Sequence, residues 1–132
     1  MLNYGIKPVY LGWEDKVIGF SPKAYEKWKH DIRVGTRMLI YETRGSKGAG
    51  GIVAEVEVIA GFEASEGLPT HTKEHDQPVK VKTIHEKGMV SVIPLQKIRT
   101  ILGDPKFPYQ GVAWYPLFKT VYRDFIKIWD GR

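Results

Sequence analysis

Aromatic side chains lying outside any regular period are where this sequence comes nearest to chemistry. Of its four tryptophans, Trp28 and Trp129 fall on helical stripes and are read as core, because an indole buries a large apolar area. Trp13 and Trp114 stand beside Gly12 and Tyr115 in segments without helical period. Loops meet strand ends there, and barrel mouths commonly hold pockets. Two loop aromatics can sandwich a flat base, or surround a methylated group by stacking and cation–π contact. The alternative is that both rings plug the ends of a barrel.

Glu42 is the carboxylate of most interest. It follows Tyr41 at the end of an apolar strand, where it can project into a cavity and accept hydrogen bonds from a base edge; otherwise it is an edge charge paired with Arg44. His71 and His75 have the i, i+4 spacing of metal ligands on a helix. No apolar stripe supports a helix there, no third ligand is evident and the pattern is not HExxH, so a solvated loop is expected and no metal. His30 and His85 stand alone. With no cysteine, no GxSxG, and no serine with an evident histidine and acid partner, nucleophilic catalysis finds little support.

The run Arg44-Gly45-Ser46-Lys47-Gly48-Ala49-Gly50-Gly51 invites a phosphate-loop reading and fails it. The GxxxxGK[ST] spacing is missing, and a strand follows rather than a helix whose amino end could hold a phosphate. A hairpin connection is expected, from which Arg44 and Lys47 could touch a nucleic-acid backbone. Lys23 on a first helix and Lys80 and Lys82 on one strand face are further candidates for phosphate contact. Solvated surface is the default for each.

These residues need a frame. Ile6 to Leu11 reads as a first strand, short or at an edge because Pro8 interrupts it. Ser21-Pro22 starts a helix, with serine capping and proline at the first helical position; Tyr25, Trp28 and Ile32 form its stripe. Strands follow at Met38–Thr43 and Ile52–Phe62, the latter with Ile52, Ala54, Val56, Val58 and Ala60 inward and Glu55 and Glu57 toward solvent. Glu63 to Gln77 reads as a long polar loop. Pro78–Ile84 and Met89–Ile93 are further strands. Leu95 to Leu102 gives one or two helical turns, 103–116 is mostly loop, and Tyr122, Phe125, Ile126 and Trp129 mark a closing helix capped by Thr120.

The chain of 132 residues is expected to form one domain over 1–132, with 42% hydrophobic and 27% charged residues as in ordinary folded proteins. No apolar run approaches the ~18–20 residues that span a bilayer. The start MLNYGIKPVY lacks the basic and apolar blocks of a signal peptide. With no cysteine, the cytoplasm is the expected compartment. The net charge of +5 and pI near 9.4 are compatible with nucleic-acid binding, and equally with simple solubility.

The run GFSPKAYEKWKHDIRVGTRMLIYETRG, followed by GGIVAEVEVIAGF, resembles the EVE domain and its relatives in the PUA-like superfamily, which includes YTH and ASCH domains. Those proteins show a helix after the first strand, an r-x-G-D-x-x-l-x-Y turn and strand, then x-i-x-G-x-x-x-V. Here the turn is Arg33-Val34-Gly35-Thr36-Arg37, with Thr36 where aspartate is commoner, and Tyr41 matches the strand tyrosine. Pro78-Val79-Lys80-Val81-Lys82 is similar to the later v-x-v-k strand, and GVAWYPLFKTVYRDFIKIW to the closing loop and helix. The ASCH pattern GxKxxExR is absent from the first half. The resemblance implies an α+β fold, a PUA-like pseudo-β-barrel of about five to six strands with peripheral short helices. It also implies a cage for a modified nucleobase, methylated or hydroxymethylated cytosine or N6-methyladenine, flipped out or single-stranded. By position, Trp13, Phe20, Tyr41, Trp114 and Tyr115 would supply rings, and Ser21, Glu42 and Thr43 would bond the base edge.

The expectation is a binding module for DNA or RNA carrying a modified base, with no cofactor. Two rivals stand beside it. One is a small hydrolase of the same superfamily, acting on a modified nucleoside through Glu42 or a lysine; the other is a protein-interaction domain whose aromatics are all core.

Overall fold

The computed structural model describes residues 3–130. Its chain runs β1 (Tyr4–Val9), β2 (Val17–Phe20), α1 (Pro22–Trp28), β3 (Arg37–Glu42), β4 (Gly51–Ala60), β5 (Gln77–His85), β6 (Ile93–Pro94), α2 (Leu95–Leu102), β7 (Tyr115–Leu117) and α3 (Lys119–Asp130). The strands form one curled, half-barrel sheet in the order β2-β5-β4-β3-β1-β7, with the two-residue β6 on β4. Among the named strands of the described residues only β1 and β3 pair in parallel, and the crossover this demands is supplied by β2 and α1. The expected α+β pseudo-barrel with peripheral helices is present; counting β6, it has seven strands.

Local chemistry explains α1. Ser21 sits in extended conformation, its hydroxyl accepts the Ala24 N–H, and Pro22 occupies the first turn. The helix stops at Trp28, and Ile32, the last member of its stripe, is buried from the following turn. In that turn the buried Thr36 hydroxyl accepts from Arg33 N–H at 3.1 Å. β1 was expected to be short or at an edge; it is six residues long and lies between β3 and β7. Pro8 is tolerated because β7 covers only Tyr4 to Ile6, leaving the proline beyond its end.

Two apolar clusters lie on opposite faces of the sheet. Met38 and Ile40 of β3 pack with Phe20, Ile18, Val56, Val58, Val79 and Trp114. The alternate β3 residues, Leu39 and Tyr41, pack with Ile98 of α2 and Tyr122 and Phe125 of α3. This second layer corrects the reading of β4. Glu55 does not face solvent but is buried under α3, and a register shift opposite Ile40/Tyr41 turns Ile52 to the face opposite Ala54. One extra residue in a strand reverses the facing of everything beyond it. Thr120 lies inside α3 rather than capping it, the Phe118 carbonyl receiving the Tyr122 N–H at 3.0 Å.

Glu55 anchors a polar cluster beneath α3. Its carboxylate accepts from Tyr122 Oη at 2.6 Å, meets His85 Nδ1 at 2.6 Å and pairs with Arg37 at 3.3 Å. His85 Nε2 reaches Asp130 at 3.4 Å. Histidine 85, which the sequence left without a role, thus helps fasten the closing helix to the sheet.

Candidate functional site

A cavity of about 570 Å³ opens where the end of β1, β2 and three loops meet, within the ~300–1,000 Å³ usual for small-ligand sites. Lys7 and Tyr10 line it from β1 and its exit, Trp13 from the next loop, and Ser21 from the head of α1. Thr43 follows β3; His71, Thr72 and His75 come from the long loop; Tyr109 to Ala113 and Tyr115 close the far side.

Trp13 is held in place rather than merely present. Its indole Nε1 donates to Glu42 Oε2 at 2.8 Å. The turn bearing it is pinned by Leu11 N–H to Ser46 Oγ at 2.9 Å and by His71 Nε2 against the Leu11 carbonyl at 3.0 Å. Gly12 has φ +99°, and a Cβ there would stand 2.6 Å from the His71 ring, so only glycine fits. Glu42 is buried and also receives Lys87 Nζ and the Ala49 N–H, the latter at 3.1 Å. Burial pushes its pKa up, but the hydrogen bonds from Lys87, Trp13 and Ala49 outweigh that and hold the carboxyl below its usual range. A carboxylate so occupied is a poor general base and a poor free acceptor for a base edge; its structural work is to orient the indole.

The remaining sequence candidates separate. Ser21, Thr43 and Tyr115 reach the cavity with Trp13. Phe20 lies in the inner cluster beneath Lys7. Tyr41 faces the opposite cluster, edge-on to Phe107, because side chains alternate along β3. Trp114 does not pair with Trp13: it is 1% exposed in the inner cluster, against Gly5, where a Cβ would come within 2.5 Å of its ring. Of the basic candidates, Arg44 and Lys47 flank the cavity-lining Gly45 and are exposed, as are Lys23, Lys80 and Lys82.

Lys7 was not anticipated. It is 2% exposed, its Nζ donates to the Pro8 carbonyl at 2.8 Å and lies 4.7 Å from the Phe20 ring centroid. Burial lowers its pKa to about 7. His75, beside it on the wall, is lowered too, first by burial and then by the Lys7 charge, and its Nδ1 meets the Thr72 hydroxyl. The one sequence signal was a lysine within the otherwise uncharged β1 run Tyr4–Val9.

No protein-family model and no curated protein matches this chain. Solved structures do. The YTH domain of the Zygosaccharomyces rouxii MRB1 protein, in complex with N6-methyladenosine RNA, superposes with a TM-score of 0.70 at 8% identity, covering 96% of this chain and 86% of that one. A hypothetical protein from Leishmania major gives 0.65 at 16% identity, over 99% and 96%. A protein from Agrobacterium tumefaciens gives 0.63 at 14%, over 96% and 92%. At such identities the likeness is one of fold: the chain has the PUA-like fold of the YTH type.

Proposed function

We propose that this protein is a nucleic-acid-binding module that takes a modified nucleobase into the Trp13 cavity, and that within the PUA-like fold it is of EVE type. The observation that carries the reading is the fixed indole. Trp13 forms a wall of a nucleotide-sized cavity, and its hydrogen bond to Glu42 orders the ring before any ligand arrives, which removes part of the entropic cost of binding. The fold is shared with a YTH domain solved on modified RNA, and the net charge of +5 suits a polyanion.

In this reading Trp13 stacks on the base, Tyr115 closes the opposite side, and the Ser21 and Thr43 hydroxyls bond its edge. Glu42 positions Trp13. Phe20, Tyr41 and Trp114 act through packing behind these walls, and Lys23, Arg44, Lys47, Lys80 and Lys82 meet phosphates. The base enters flipped or from a single strand.

Titration of fluorescent single-stranded DNA and RNA oligonucleotides, each with and without one modified base, tests this. A base stacked on Trp13 is worth ~1–3 kcal/mol, so Trp13→Ala should weaken binding by about fivefold or more. Affinity indifferent both to every modification and to Trp13→Ala would rule the reading out.

A further inference from the structure

The chemistry of the cavity lining is one-sided. None of the lining residues is an aspartate or glutamate, and Glu42, next in sequence to the lining Thr43, is already engaged by Trp13, Lys87 and Ala49. The titratable groups that face the space are Lys7 and Tyr10 from β1 and its exit, His71 and His75 from the long loop, and Tyr109 and Tyr115 from the far wall. None of these side-chain types carries negative charge near neutral pH; the acids beside them are Glu74, whose charge acts on His75, and Asp104, which accepts from the Tyr109 hydroxyl.

Lys7 is the pivotal member. It alternates with Ile6, which faces the second cluster, and so occupies a position on the inner face where an apolar side chain would pack without desolvation cost. No carboxylate forms an ion pair with it among the described residues. An ammonium carries three donors, and the structure records one hydrogen bond from this one, to Pro8 O. A buried, acid-free amine on the wall of a cavity is matched by an acceptor on whatever fills that cavity.

We propose that the cavity is an anion-reading site: the base it takes carries a carboxylate oxygen that Lys7 binds, and cationic methylated bases are excluded. This deepens, and rests on, the base-binding reading. A charge-assisted hydrogen bond is roughly twice as strong as a neutral one, and the same amine, when protonated, repels a positive ring. Because burial draws the Lys7 amine down to about 7, a carboxylate ligand binds with uptake of a proton, and its affinity falls as pH rises above that value.

The test uses one single-stranded oligonucleotide with cytosine, 5-methylcytosine, 5-carboxycytosine or cationic 1-methyladenine at the central position. Wild type, Lys7→Met and Lys7→Gln are titrated at about pH 6 and about pH 8.5. The carboxylated base is expected to bind at least about tenfold tighter than the methylated one at the lower pH, with 1-methyladenine weakest. The preference should shrink by about tenfold at the higher pH and vanish in both variants; folding of each is checked by circular dichroism. Equal affinities for the carboxylated and methylated cytosines in wild type, or a preference surviving both substitutions, overturns the inference while leaving base binding intact. Competition by inorganic phosphate, with Trp13→Ala without effect, overturns it by assigning the anion to the backbone. If no oligonucleotide binds at all, the base-binding reading fails and takes this one with it.

Discussion

The indole of Trp13 and the carboxylate of Glu42 are joined at 2.8 Å although 29 positions separate them in sequence. Glu42 is buried with three donors upon it. Removing its charge leaves those donors to find other partners, a loss of ~1–3 kcal/mol. Glu42→Leu should therefore lower stability by about that amount, read by urea titration, and release the indole, read as a red shift of emission in a background where Trp28 and Trp129 are phenylalanine, with the contribution of the buried Trp114 subtracted by means of the matching Trp13→Phe protein. Unchanged emission would show that the hydrogen bond does not orient the ring.

Lys7 makes stability depend on pH in a definite direction. Its pKa in the folded protein is about 7, against 10.5 for a free lysine. Between those values the unfolded chain holds more protons than the folded one, so stability rises as pH increases from about 7 toward about 9.5, by up to ~1.4 kcal/mol per pH unit. Lys7→Met should flatten this slope and raise stability near neutrality. Thermal melts of both proteins across that range check it.

Beneath α3, the Tyr122 hydroxyl donates to Glu55 at 2.6 Å, and its own pKa is pushed well up, first by burial and then by the Glu55 charge. Tyr122→Phe keeps the ring and deletes the bond, at an expected cost of ~1–3 kcal/mol. Hydrogen exchange should localise the loss to α3 and its contacts with β1 and β4. A uniform effect across the chain would mean that α3 does not open separately.

Gly5 has no room for a methyl group. A Cβ would meet Trp114 Cζ2 at 2.5 Å and the Tyr115 carbonyl at 2.6 Å. Since one of those atoms belongs to backbone, the strand pair β1–β7 must shift. Gly5→Ala is expected to cost ~1–3 kcal/mol, measured by denaturant unfolding, and to enlarge the cavity mouth, because Ala113 and Tyr115 flank the displaced tryptophan.

Salt sensitivity reports on the rim. If Arg44 and Lys47 each meet a phosphate, the double change Arg44→Ala with Lys47→Ala should make the slope of log affinity against log salt shallower by about 1.4 for a single strand. Selectivity among bases should be untouched. An unaltered slope places the backbone elsewhere.

The sequence was most legible where structure is decided locally. The head of α1 follows from Ser21 and Pro22, which satisfy their own helix end, and α3 follows from the spacing of Tyr122, Phe125, Ile126 and Trp129. What depended on distant partners was hidden. Glu55 looks solvent-facing in the alternation of β4 until α3 covers it, and the irregularity that turns Ile52 away from Ala54 exists only against β3. Trp114 resembled a loop aromatic because nothing nearby in sequence shows that Gly5 leaves it a berth. Half the candidate site was legible: Trp13, Ser21, Thr43 and Tyr115 meet at the cavity, while Lys7 was masked by the ordinary expectation that a lysine in a strand points to water.

The cavity draws its walls from the first strand, the turns after β3 and β5's approach, and the residues just before the last helix. No local fragment contains it. A ligand seated there would clasp the two ends of the chain together through β1 and β7, so its binding energy would be withheld from every partially opened form and credited only to the closed one. Occupancy would therefore act as a latch on the entire fold, slowing exchange even at amides far from the ligand.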